Sequence, residues 1–140
     1  MKHYNTLGLL GEGSHARVYL VEDENKEKYA LKRFSKDEDP EEVKARYLIE
    51  KTALDKAKSK HIVQLIDVIN TDEELSLIME ICEYGSLRDQ FDDNGKFTLR
   101  KSIKAGISIL LGLEAMHEQG LVHRDVKPDN ILQGEKGVLK

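Results

Sequence analysis

The sequence predicts an α+β chain: a five-stranded antiparallel sheet with one long helix, followed by a mainly helical segment. Two observations carry this expectation. Residues 4–34 and 62–81 break into short β-branched or aromatic runs separated by polar turns, whereas residues 40–58 and the stretch after Ser86 repeat their apolar positions with the helical period.

The strands come first. Tyr4 to Leu10, Ala16 to Glu22 and Lys28 to Phe34 are separated by Gly-Glu-Gly-Ser and Asp-Glu-Asn-Lys, which gives three antiparallel strands. Asp39 then caps a helix over about Pro40 to Lys58. Pro40 suits the first turn, Glu42 completes a capping box, and Glu38 and Glu41 favour the positive end of the helix dipole. Ile62 to Ile69 and Leu75 to Ile81 flank the polar turn Asn-Thr-Asp-Glu-Glu and form a further hairpin. At Glu83-Tyr84-Gly85 the strand pattern stops, which marks a lobe boundary, and Ser86 with Asp89 opens a short helix by a capping box. A longer helix runs from Thr98 to about Gln119, with Leu99, Ile103, Ile107, Leu110, Leu111 and Leu113 as its buried side and Gly120 as its stop. Gly106 and Gly112 each cost that helix roughly 1 kcal/mol relative to alanine, so close packing against a neighbour is expected to offset them.

Composition narrows the function classes. With 140 residues, 39% apolar and 34% charged, the chain can build one real core. A net charge of -4, without a long basic run, argues against nucleic acid as a partner. Cys82 is the only cysteine, so an internal disulfide or a cysteine-based metal cluster is excluded, and a reducing, cytoplasmic setting is expected. The longest apolar run, Ile107 to Leu113, is interrupted by Ser108 and Gly112, and the N-terminus lacks a signal-type apolar region, so no membrane association is expected.

Three motifs carry chemistry. In Leu10-Gly-Glu-Gly-Ser-His-Ala-Arg-Val18, glycines between two strands leave backbone amides able to lie over phosphate oxygens, although an ordinary hairpin also explains them. The strand-glycine-strand order differs from the strand-glycine-helix order of a dinucleotide fold. In Tyr29-Ala-Leu-Lys32, Ala30 and Lys32 share one side of a strand. A strand lysine is usually only a solvent-facing residue, but on the next helix Glu50 interrupts the apolar stripe Val43, Tyr47, Leu54, Ala57 and requires a cation. Lys32 is the candidate; Glu42, the other acid in reach, is already accounted for by capping. The third motif, Leu121-Val-His-Arg-Asp-Val-Lys-Pro-Asp-Asn-Ile-Leu132, is the most specific. Asp125 can accept the proton of an attacking hydroxyl, Lys127 can neutralise a transferring phosphoryl group, and Asn130 can ligate a magnesium ion.

Together these motifs resemble the protein kinase family, in its order and at its spacing: Lys32 lies 14 positions after Val18 and Glu50 lies 18 after Lys32. The resemblance implies a protein kinase-like fold with a small lobe over residues 1–79, a hinge over 80–85 and the start of a large lobe over 86–140, including the catalytic loop. It implies that ATP lies against Leu10, Gly11, Glu12, Gly13, Ser14, Val18, Ala30, Lys32, Met79, Glu80, Cys82 and Leu132. Within that set Lys32 holds the α- and β-phosphates, Glu50 partners it, Met79 is in the gatekeeper place, and backbone groups of Glu80 and Cys82 hold adenine. Asp125 resembles the catalytic base, and Asn130 a ligand of Mg2+. Leu54, Leu65 and His123 resemble the apolar stack joining the lobes. Lys127 two places after the base is similar to serine/threonine kinases, which implies a protein substrate bearing Ser or Thr. His15 departs from the family's usual aromatic at the loop tip, and Ala16 stands in place of the third glycine.

The family's Asp-Phe-Gly is expected about three residues beyond Lys140, so the chain is read as an incomplete kinase domain that also lacks the activation segment. Two consequences are expected. The apolar side of the Thr98–Gln119 helix is left exposed for a protein partner, and the missing aspartate keeps open an alternative, a non-catalytic kinase-fold module that binds nucleotide or a partner. A small-molecule kinase of the same fold is disfavoured by Lys127-Pro128.

Overall fold

A computed structural model describes residues 2–140, with the backbone alone at 92–94. The chain divides into two units, one ending at Asp55 and rejoined by Gln64–Ile81, the other made of Lys56–Val63 and Cys82–Lys140.

The first unit is an antiparallel sheet with one helix. Strands β1 (Asn5–Glu12), β2 (Ala16–Glu22), β3 (Lys28–Phe34), β4 (Leu65–Asn70) and β5 (Leu75–Glu80) are ordered β1-β2-β3-β5-β4. The middle strands bury side chains on both faces, because successive side chains alternate. Leu77 and Ile78, neighbours on β5, are both 0% exposed yet belong to different clusters. Leu77 packs with Phe34, Val43 and Tyr47, the last two on helix α1 (Pro40–Lys56). Ile78 packs with Val21 and Leu31 on the other face, against Tyr4, Tyr19 and Tyr29. Strand β1 lies at the edge, exposed throughout and irregular in register between Thr6 and Gly8 and between Leu9 and Gly11.

Two strand boundaries and one helix cap differ from those predicted. Strand β1 runs on through Gly11 and Glu12, because Gly11 pairs with Val18, Glu12 pairs with Arg17, and the Arg17 Nε donates to Glu12 across the hairpin at 2.7 Å. Strand β4 begins at Leu65, not Ile62, because Ser59 closes a turn there. Its Oγ accepts from His61 N at 3.2 Å and its carbonyl from Ile62 N at 3.1 Å. At the start of α1, Asp39 Oδ1 accepts from the N–H groups of Glu41 and Glu42, as a cap should, but the Glu42 carboxylate turns to Arg46 at 3.1 Å instead of closing a capping box.

The second unit is helical. Helix α2 (Leu87–Asn94) starts with the expected reciprocal box between Ser86 and Asp89. Gly85 before it has φ +68°, and a Cβ there would lie 2.9 Å from Asp89 Oδ2, so both backbone and space demand glycine. Helix α3 (Leu99–His117) is capped by Thr98 and stopped at Gly120, whose φ is +70°. A core of Leu87, Ala105 and Leu139, with Phe91, Phe97, Ile109 and Ile131 against it, joins both helices to the C-terminal segment. That segment closes as a small hairpin in which Leu132 and Lys140 exchange both backbone hydrogen bonds at 2.9 Å.

The buried side of α3 is not the predicted one. Ala105, Ile109 and Gly112 face the core, whereas Leu99 is 78% exposed, and Ile103, Ile107, Leu110 and Leu111 are also exposed. The helix has apolar residues on two sides, and periodicity alone favoured the bulkier side. The leucine and isoleucine row is thus the exposed side of α3.

Gly112 has the predicted close neighbour and Gly106 does not. A Cβ at 112 would sit 2.7 Å from the His61 carbonyl oxygen, while one at 106 meets nothing within 4 Å. His61 is itself fixed by its Nδ1, 3.0 Å from Leu139 O. Gly106→Ala should accordingly raise stability by up to about 1 kcal/mol through helix propensity. Gly112→Ala should lower it by roughly 1 kcal/mol, since a backbone clash costing ~1–3 kcal/mol outweighs the same gain. Paired thermal denaturation checks the opposite signs.

Candidate functional site

Strand register brings the first group of predicted residues together. Gly11, Val18, Lys32 and Leu77 are successive cross-strand partners over β1, β2, β3 and β5, and Ala30 lies between Leu20 and Met79 one row away. Val18, Ala30, Lys32 and Met79 therefore share the face of the sheet covered by α1. On that face Lys32 Nζ donates to both oxygens of Glu50, at 2.7 and 2.6 Å. The pair is partly shielded, with 27% of the lysine and 32% of the glutamate side chain exposed, and the ammonium lies 5.5 Å from the Phe34 ring centre. The carboxylate in the apolar stripe thus found the cation it needed, beside Val43 and Tyr47, which are buried, and Leu54, which packs on the same cluster.

The glycine hairpin is built differently from a simple row of open amides. Gly13 N–H is spent on Ala16 O at 2.9 Å, and neither Gly11 nor Gly13 has a positive φ, so the glycines contribute missing side chains more than unusual backbone. Glu80, next along β5 from Met79, gives its N–H to Gln64 O at 3.0 Å and accepts from Gln64 N with its carboxylate at 2.7 Å.

A second group of predicted site residues lies in the other unit. Asp125 follows Arg124, whose φ of +65° turns the chain, and Pro128–Asn130 makes a 3-10 turn closed by Asn130 N to Lys127 O at 3.0 Å. This brings three side chains together. Lys127 Nζ is 2.9 Å from Asp125 Oδ2, and Asn130 Nδ2 donates to that same oxygen at 2.8 Å and to the Asp125 carbonyl at 2.9 Å. Asp125 N–H donates to His123 Nδ1 at 3.2 Å, which fixes that nitrogen as an acceptor. The Lys127 ammonium, then the Asn130 amide, hold the Asp125 carboxyl below the usual carboxylate range, and Lys127 is raised in return. Asp125 is 61% exposed at its side chain, so its carboxylate is open to solvent. Arg88 Nε of α2, 3.8 Å from Asp129 Oδ2, adds a long ion pair to the turn. In the same unit Leu132 bridges to Ser86, and Leu87 N donates to Ile131 O at 2.8 Å, which ties the start of α2 to the strand after Asn130.

Sequence reasoning missed a charge cluster at the hairpin tip. His15 Nδ1 lies 2.9 Å from Glu38 Oε1, Arg46 Nη1 bonds Glu38 Oε2, and Arg46 Nη2 reaches Glu42 at 3.1 Å. The one available sign was Glu42 and Arg46 at i, i+4.

A sheet lysine paired to a helix carboxylate in one unit, and a loop presenting Asp, Lys and Asn in the other, are the features of a kinase-type chain. Residues 4–140 match the family model of the protein kinase domain, and the chain belongs to that family. It is 33% identical over 139 residues to a probable serine/threonine-protein kinase of Clostridium perfringens, covering 98% of this chain and 20% of that protein. It is 35% identical over 142 residues to one from Dictyostelium discoideum, covering 98% of this chain and 30% of the relative. To the probable serine/threonine-protein kinase pdkA of the same organism it is 37% identical over 126 residues, 89% of this chain and 18% of that protein. The chain therefore spans less than a third of the length of these relatives. Members of the family in general use ATP with a divalent metal.

The residues present suit such a metal in part. No group of three or more His, Cys, Asp or Glu side chains among the described residues can cage an ion. A magnesium ion carried on phosphates needs only one or two protein oxygens, and the two hydrogen bonds of Asn130 use its nitrogen and do not engage its amide oxygen. Among the described residues no helix is long and apolar enough to cross a membrane.

Proposed function

We propose that this chain is the nucleotide-binding and catalytic-loop part of an ATP-dependent serine/threonine protein kinase, working with Mg2+ in a reducing, cytoplasmic compartment. The observation that carries the reading is the Lys32–Glu50 pair, both carboxylate oxygens on one ammonium, from a strand and a helix 18 residues apart. Glu50 holds Lys32 in one place, and Lys32 neutralises the α- and β-phosphates. Leu10, Gly11, Glu12, Gly13 and Ser14 cover the phosphates, while Val18, Ala30, Met79 and Leu132 line the adenine and backbone groups of Glu80 and Cys82 read it. Asp125 accepts the proton of a Ser or Thr hydroxyl, Lys127 offsets charge on the phosphoryl group in flight, and Asn130 offers its oxygen to the metal. When bound, the metal supplies charge neutralisation between the phosphates. In this reading the chain divides into a small lobe over 1–79, a hinge over 80–85 and part of a large lobe over 86–140.

A thermal-shift titration tests the nucleotide assignment. ATP with magnesium at about 100 times Kd should stabilise the protein by ~2.7 kcal/mol, a rise in Tm of roughly 5–10 °C, and Lys32→Ala should remove most of that rise. Equal responses would sink the assignment. A second reading, a kinase-fold module that binds nucleotide or a protein partner without transferring phosphate, draws on the exposed row Leu99, Ile103, Ile107 and Leu110 of α3, a surface suited to a covering protein segment. Nucleotide-dependent stabilisation without phosphate transfer would favour it.

A further inference from the structure

Three elements of the sheet unit meet at one carboxylate. His15 is at the tip of the glycine hairpin, Glu38 lies in the connection from β3 to α1, and Arg46 is on α1, one turn before Glu50. The His15 Nδ1 is 2.9 and 3.1 Å from the two oxygens of Glu38, Arg46 Nη1 bonds Oε2, and Arg46 Nη1 lies only 3.2 Å from His15 Nδ1. A guanidinium nitrogen can only donate, and a ring nitrogen facing a carboxylate must donate too. Two donors at that separation repel unless an acceptor serves both. Glu38 is that acceptor, and Arg46 first, then His15, draw its carboxyl below the ordinary range. Glu42, at 3.1 Å from Arg46 Nη2, holds the other edge of the guanidinium. The hairpin backbone is anchored nearby, since Ser35 N donates to His15 O at 2.9 Å, so the side-chain bridge has only a short distance to control.

We propose that Glu38 is a positioning residue that ties the tip of the glycine hairpin to α1, and thereby places the hairpin for ATP. The tie rests on the nucleotide reading given above for its purpose, but not for its geometry. One contact chain joins the hairpin tip to Arg46, and the next turn of the same helix brings Glu50 to Lys32, so hairpin and lysine are aligned by a single helix. Glu38→Gln keeps the size of the side chain but removes its charge and replaces one acceptor oxygen by an NH2 donor, so the contacts to His15 and Arg46 are weakened. Arg46→Met keeps the helical stem and deletes the donor, whereas Arg46→Lys keeps a cation in reach.

Hydrogen exchange of the unliganded protein at residues 12–16, together with steady-state kinetics in ATP, decides the matter. Exchange should quicken several-fold in Glu38→Gln and Arg46→Met and return toward wild type in Arg46→Lys. The KM for ATP should rise about three- to fivefold in the first two, the size expected of a half-exposed charge pair, with kcat within about twofold. Unchanged exchange in Glu38→Gln refutes the tie, and changed exchange with an unchanged KM refutes its role in ATP placement. A wild-type protein that shows the exchange pattern but fails to bind ATP instead removes the nucleotide reading, and with it the proposed purpose of the tie.

Discussion

Asp125→Asn should lower phosphate transfer to protein Ser or Thr by about 10²–10⁴-fold while leaving the thermal response to ATP and magnesium intact. The substitution is nearly isosteric, and the loop has other holds, since Asn130 still donates to the Asp125 backbone carbonyl and Pro128–Asn130 still closes its turn. What is lost is the ability to accept a proton. In the wild type this carboxyl is kept ionised by Lys127 at 2.9 Å and Asn130 at 2.8 Å, so the base form persists to lower pH than an ordinary carboxylate allows. Lys127→Ala relaxes the carboxyl upward, so the acid limb of the pH-rate profile should move to higher pH as well as the rate falling. Label transfer from ATP measures both. Transfer by Asp125→Asn within tenfold of wild type would refute the role given to Asp125. Binding without transfer in wild type would leave the non-catalytic module standing.

Residues whose surroundings are set within one element were legible in the sequence, and those set by contacts between elements were not. Strands β2 and β3 fall on the predicted residues because their alternation is unbroken between clear turns, and the Ser86–Asp89 box is complete within four residues. Glu50 was legible because a carboxylate in an apolar stripe is a local contradiction that only a cation resolves. Asp125, Lys127 and Asn130 were found as one motif, and their mutual bonds are short-range. By contrast, α3 carries apolar residues on two sides, and which one is buried depends on Phe91, Phe97 and Leu139, which no helical period reveals. Glu38, just before Asp39-Pro40, is legible in the sequence only for the helix dipole, whereas its partners His15 and Arg46 come from a hairpin and a helix. Such bridges between exposed charges leave no periodic mark.

Leu77→Ala should be the most damaging single change in the sheet unit, costing about 2–5 kcal/mol of the ~5–15 kcal/mol that a domain possesses. Leu77 is 0% exposed at the meeting of Phe34, Val43 and Tyr47, so the lost methyl groups leave a cavity between β5 and α1. Compensation by collapse is blocked, because the Phe34 and Tyr47 rings are already fixed edge to face at 5.8 Å. In urea the midpoint should fall with an unchanged slope. Two controls fix the cause. Leu7→Ala removes a comparable side chain from exposed β1 and should stay within about 0.5 kcal/mol, since Leu7 is 47% exposed and belongs to none of the core clusters. Tyr47→Phe should be neutral or stabilising, because its hydroxyl is buried with no hydrogen-bond partner among the described residues, so only a desolvation cost is removed. A functional effect should accompany the Leu77 cavity. Leu77 is the cross-strand partner of Lys32, and Tyr47 lies one turn before Glu50, so loosening this cluster frees both ends of the ion pair. ATP affinity of Leu77→Ala, measured below its lowered Tm, should therefore weaken although no residue proposed to touch the nucleotide has changed. Wild-type affinity in the still-folded variant would show instead that Lys32 and Glu50 hold their places without this support.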